Sequence, residues 1–167
     1  MAGLTFKSVG ARLGISDRTV VYYFPTKPEL VTAVAVALVA DLERLLEEAF
    51  GSEPKRREEL VDRAWQVLAT SAGDRVFSLY FEIVGLASSG QSPYDAIARA
   101  LVEGWVEWLV PRMHGSTRAV RRKRALATVA QIDGLLLVRQ VLGREAADAA
   151  AGESGVRALR AGGAADM

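Results

Sequence analysis

The stretch GARLGISDRTVVYYFPTK, residues 10–27, crowds two glycines, a set of spaced apolar residues and two adjacent tyrosines into one short segment. Counting from Phe6, apolar residues fall at Val9, Leu13, Ile15, Val20 and Tyr23. Val9 and Leu13 stand i, i+4 on one helix face, and Val20 and Tyr23 stand i, i+3 on a second. Thr5 and Ser16 each precede one of these runs, and both are residue types that cap helix N-termini. Gly10 lets the second helix approach the first, and Gly14 supplies the left-handed conformation of a tight helix stop. Ile15 fills the corner. The pattern reads as a helix-turn-helix, with Asp17, Arg18, Val21 and Tyr22 outward on the second helix, the one that enters the major groove in such motifs. A plain helical hairpin with a glycine corner has the same local pattern and stays open on these residues alone.

Outward from this stretch the chain continues as helix. Strand alternation is absent, and Ala, Leu, Arg and Glu dominate. Helices are expected at about 5–13, 16–23, 27–50, 54–71, 74–88, 92–113 and 117–142. A weaker helix is expected at 144–151 or 156–160, and a disordered tail at 161–167. The breaks fall at Phe24-Pro25-Thr26, Gly51-Ser52-Glu53-Pro54, Ser89-Gly90, His114-Gly115-Ser116 and Gly143. The expected fold class is all-α: a helix-turn-helix head over 1–26 and a helical bundle over 27–160.

The 167 residues carry no cysteine and one histidine, His114, so thiolate sites and a multi-His zinc site are disfavoured. No cofactor is expected. No apolar run reads as long enough to cross a bilayer, Val34 to Ala40 being short, and no basic-then-apolar leader is present. The expectation is a cytoplasmic protein without membrane contact. Net charge is +1, but residues 1–28 hold Lys7, Arg12, Arg18 and Lys27 against Asp17 alone, a local excess that suits a polyanion.

Residues 3–30 resemble the DNA-binding head of the TetR family of bacterial transcriptional regulators. The resemblance rests on Thr5, Val9 and Gly14, then ISDRT, then YYF and PTKPEL. It implies an operator-binding homodimer, commonly a repressor, whose helical body takes a small-molecule effector. It implies DNA-facing roles for Thr5, Lys7, Ser16, Arg18, Thr19, Tyr22, Tyr23 and Lys27. Lys7, Tyr23 and Lys27 would then lie on phosphates, and Arg18, Thr19 and Tyr22 nearest base edges. Two departures stand out. Val21 occupies a position where the family usually has tyrosine, with Tyr22 next to it. The family head also has three helices, and Met1-Ala2-Gly3 corresponds to the turn after the first. Beyond residue 30 the resemblance is architectural only.

In the body, residues 74–88 are apolar almost all round, with Arg75, Ser78 and Glu82 as the polar stripe. That stripe reads first as solvent-facing; the alternative makes Glu82 the polar handle of a pocket, with Gln131 as another candidate. Trp65, Phe77, Tyr80, Phe81, Leu101 and Trp105 are candidate walls of a cavity for a largely apolar effector, although such residues look the same when they are plain core. His114 is placed at a helix end, where a cation suits the dipole. RAVRRKR, residues 118–124, reads as a solvated face. Val129, Ile132, Leu135, Leu136, Val138 and Leu142, with Ala127, Ala130 and Gly134, read as partly core and partly a two-fold interface that includes Leu136. No nucleophile, acid–base pair or metal spacing supports an enzyme. The rival reading is a helical dimerisation or partner-binding module that does not touch DNA.

Overall fold

The computed structural model describes residues 5–51 and 53–156. Among them are eight α-helices: α1 Phe6–Leu13, α2 Asp17–Tyr23, α3 Lys27–Phe50, α4 Arg57–Leu68, α5 Ser71–Ser88, α6 Tyr94–Leu109, α7 Arg118–Leu142 and α8 Arg144–Glu153. A 3-10 turn, Val110–Arg112, follows α6. The fold is all-helical, as expected, and its breaks coincide with the glycine and proline clusters except between α4 and α5, where Ala69-Thr70 separates the helices about three residues before the expected position. The expected turn at residues 1–3, the possible helix at 156–160 and the tail at 161–167 fall largely or wholly outside the described residues.

The chain divides into two compact units. One unit comprises residues 5–43 and 79–99; the other comprises 44–78 and 100–156. The first holds α1, α2, most of α3, the later part of α5 and the start of α6. Its buried side chains include Val20, Leu30, Val31 and Ile83. Two threonines organise its N-terminal helices. Thr5 and Ser8 exchange side-chain and backbone hydrogen bonds in a capping box on α1. Thr26 does the same with Glu29 at the start of α3.

The second unit is built around α7, which packs on α4, α8 and the 3-10 turn. Its core includes Phe50, Leu60, Trp65, Met113, Ile132 and Leu136. Residues 55 and 113 pair as an isolated parallel bridge: the Lys55 N–H donates to the Arg112 carbonyl at 2.9 Å and the His114 N–H to the Lys55 carbonyl at 3.0 Å. A buried ion pair ties α7 to the start of α5. Arg139 donates from Nε to Asp74 Oδ1 at 2.6 Å and from Nη2 to Oδ2 at 2.9 Å, while Gln140 Nε2 donates to the Asp74 carbonyl at 2.7 Å. The hydrogen bond to Asp74 holds the Arg139 guanidinium above the ordinary arginine range, against the opposing effect of burial, with Asp74 and Asp148 adding charge attraction.

Three expectations are corrected here. Helix α6 stops at Leu109, so His114 lies beyond a helix end, its carbonyl accepting from Arg124 Nη1 at 2.6 Å. Helix α7 is long and apolar enough by length and composition to cross a membrane, whereas no such run was expected; core helices pass the same test, and a third of its most apolar window is buried. Leu136 is 1% exposed and belongs to the core of its own unit. The exposed apolar residues of α7 are Leu126, Leu137, Val141 and Leu142. The helical turn of 100° per residue explains the last point, since Leu137 sits a quarter-turn round from the packed face that Leu136 occupies.

Candidate nucleic-acid interface and body cavity

The N-terminal helix pair is held by short-range contacts. The Oγ of Ser16 accepts from the Thr19 N–H at 3.1 Å and lies 2.8 Å from the Thr19 hydroxyl, which fixes the start of α2. Gly14 ends α1 at φ 67°, in the left-handed region. The Ile15 N–H donates to the Gly10 carbonyl at 3.0 Å. At Gly10 a Cβ would stand 2.8 Å from the Ile15 carbonyl oxygen and 3.2 Å from the Asp17 nitrogen, so the close approach there requires glycine. Val20 is the buried anchor of α2. Leu13, Ile15 and Tyr23, which the spacing assigned to the interior, are exposed. The two helices, of eight and seven residues, pack on each other.

Of the candidate DNA-facing residues, Thr5, Lys7, Ser16, Arg18, Tyr22, Tyr23 and Lys27 are exposed and Thr19 is half-buried. The hydroxyls of Thr5 and Ser16 are used as caps. Tyr22 is 80% exposed, and its ring meets that of Tyr23 edge-on at 5.3 Å between centroids. The Asp17 carboxylate accepts from the Arg18 N–H at 2.8 Å and stays within the first turn of α2. The outward surface of α2 is therefore Arg18, Val21 and Tyr22, with the cations Lys7, Arg12 and Lys27 in the neighbouring segments.

The candidate effector residues are distributed over both units. Trp65, Phe77, Leu101 and Trp105 belong to the second unit, and Tyr80, Phe81 and Glu82 to the first. Trp65 is packed in the core. A cavity of about 30 Å³ in the second unit is lined by Phe77 and Trp105, together with Phe50, Leu68, Trp108 and Asp133. That volume suits a water or two, against roughly 300–1,000 Å³ for a drug-sized ligand pocket. Tyr80 and Phe81 pack edge-on against each other, one turn along α5 from Phe77. Gln131 accepts from Arg57 Nη1 at 2.6 Å, and Glu82 is half-buried. The polar residue on the cavity wall is Asp133. The i, i+3 spacing of Trp105 and Trp108, whose rings meet edge-on at 5.8 Å, was the legible signal for this wall.

No family model, no curated protein and no solved structure matches this chain.

Proposed function

We propose that the chain is a TetR-like transcriptional regulator, without enzymatic activity, that binds operator DNA as a homodimer and responds to a small, largely apolar effector. The observation that carries this reading is the N-terminal helix pair: two capped helices, a left-handed Gly14, a contact at Gly10 that admits no side chain, and an outward face of Arg18, Val21 and Tyr22. In a helix-turn-helix that face belongs in the major groove, and the cations beside it belong on phosphates. The exposed Leu13 and Ile15 suit cover by a further helix, as the three-helix head of that family implies. The exposed apolar residues of α7 suit pairing with the same helix of a second copy. The effector site forms by opening the aromatic cavity of the second unit, and its occupancy shifts the geometry of the paired heads.

The test begins with selection of duplexes from a random library, using the chain together with any sequence encoded upstream of Met1. An enriched half-site repeated with two-fold symmetry is the expected result. Tyr22→Ala should relax sequence preference. Lys27→Ala should weaken binding on every sequence and lower the salt slope by about one unit. A library that returns no preferred sequence, with dimerisation intact, favours a dimerisation module without DNA contact.

A further inference from the structure

Segments 53–58 and 107–124 together carry nine of the 21 Lys and Arg residues of the chain and only three glutamates, so the remaining residues are net acidic. Neither run is informative alone, because a short basic run on a helix is ordinarily a solvated face. The bridge between residues 55 and 113 changes that, since it staples Lys55-Arg56-Arg57 alongside the strand-like link that leads into α7. Arg57 reaches across to Gln131 of α7, and Arg124 reaches back to the His114 carbonyl. Two basic runs some sixty positions apart thus share one end of the second unit. Arg56, Arg118, Arg122, Lys123 and Arg124 are exposed there.

Within this patch Glu107 binds two guanidiniums at once: one carboxylate oxygen pairs with Arg118, and the other accepts from Arg122 Nε at 3.2 Å. An oxyanion therefore already sits between two arginine forks. Arginine forks pair with carboxylate and phosphate oxygens in the same bidentate manner.

We propose that this end of the second unit is a second nucleic-acid surface, separate from the N-terminal helix pair, that holds the phosphate backbone without reading sequence. The choice of partner follows from what the patch lacks. No large hydrophobic residue of segments 53–58 or 107–124 is strongly exposed among the described residues; the nearest is Leu126. A protein partner ordinarily buries an apolar or aromatic anchor at the centre of its interface. A membrane surface ordinarily receives leucine or aromatic side chains below the headgroups. Backbone binding of nucleic acid needs neither, since its free energy comes from neutralised phosphates and released counterions. This proposal does not depend on the function assigned to the N-terminal helices.

The probe is a fluorescently labelled random-sequence duplex, titrated over a salt series in a Tyr22→Ala, Lys27→Ala background that removes the other candidate surface. Arg56→Gln with Lys123→Gln, both at exposed positions, should lower the log–log salt slope by up to about two units, at roughly 0.9 per phosphate. Glu107→Gln, which frees Arg118 and Arg122, should tighten binding and steepen the slope. Circular dichroism and thermal midpoint confirm that each variant is folded. An unchanged slope in both variants overturns the proposal. So does preferential retention on anionic phospholipid vesicles or on polyglutamate over the duplex.

Discussion

Gly10 shows how much one missing side chain can decide. A β-carbon there would collide with backbone rather than with a movable side-chain end, so the helices must separate to accept it. Gly10→Ala should destabilise the N-terminal helices by about 1–3 kcal/mol, the usual cost of overpacking. Faster amide exchange in 6–23, with exchange in α7 unchanged, is the expected result; protection equal to wild type would mean that the contact is not tight. Gly73 makes a similar contact in the second unit, its missing Cβ lying 2.0 Å from the Leu68 carbonyl oxygen, and nothing in the local sequence marked it. Arg139 and Asp74 act at the same scale. Asp74→Asn would leave a buried guanidinium without its hydrogen-bonded counter-charge, with only the attraction of Asp148 remaining, and should cost about 3 kcal/mol, at the lower end for a buried pair because Asp74 is about one-third exposed. Urea denaturation measures this. Because the Arg139 pKa is raised, its contribution is complete below the ordinary arginine range and is lost only as pH rises through the still higher folded value. The guanidinium side of the pair should therefore add no pH dependence to stability between pH 5 and 9.

At the scale of the element, α7 carries two apolar faces with different fates. Ile132, Leu135 and Leu136 are packed inside the unit, whereas Leu126, Leu137 and Val141 are 41%, 48% and 70% exposed. Ala130 and Gly134 lie on the exposed side and would let a partner helix come close. Under the proposed dimer, Leu137→Asp should give folded monomer by light scattering. Leu136→Asp buries a carboxylate in the core and should instead lower the thermal midpoint sharply. Full dimer retained by a folded Leu137→Asp would remove α7 from the interface. Period alone could not separate these faces, because both are apolar and only the packing of α4 and α8 selects one. The opposite holds for the helix ends. Thr5, Ser16 and Thr117 act as side-chain N-caps because short hydroxyl side chains reach the free N–H groups of a first turn, and that chemistry is local. The last turn of α6 was overextended in the sequence reading because Val110–Arg112 tightens to 3-10 geometry before the extended Met113.

Across the whole molecule, charge is distributed against the pattern of its near-neutral total. A net charge of +1 conceals a basic end of the second unit and an acidic remainder. Its salt-dependent association with polyanions should therefore exceed what its isoelectric point suggests. The aromatic residues show a related redistribution. Their concentration in 54–113 pointed to one cavity, and Phe77 and Trp105 line one in the second unit, while Tyr80 and Phe81 fall on the later part of α5. The cavity lined by Phe77 and Trp105 is too small for an effector, so under the proposed function ligand binding there must be accompanied by opening. Trp105 and Trp108 both line that cavity, so quenching of tryptophan fluorescence on ligand entry, reduced in Trp105→Phe, is the expected signature. A bound apolar effector that leaves the spectrum of the wild type unchanged would place its site elsewhere.

By itself the sequence determined the all-helical class, most of the breaks and the caps at Thr5 and Ser16, because helix period, glycine stops and hydroxyl caps act within a few residues. It also marked residues 10–27 as a tight two-helix corner, since Gly10 and Gly14 answer to contacts inside that segment. Only the tertiary structure decided which face of α7 is core, that Arg139 is buried against Asp74, and that residues 55–57 join 118–124 in one basic surface. The last two depend on residues roughly sixty positions apart in the chain, and the first on α4 at a similar separation as well as on α8, so neither period nor propensity carries the information and packing alone selects the pairing.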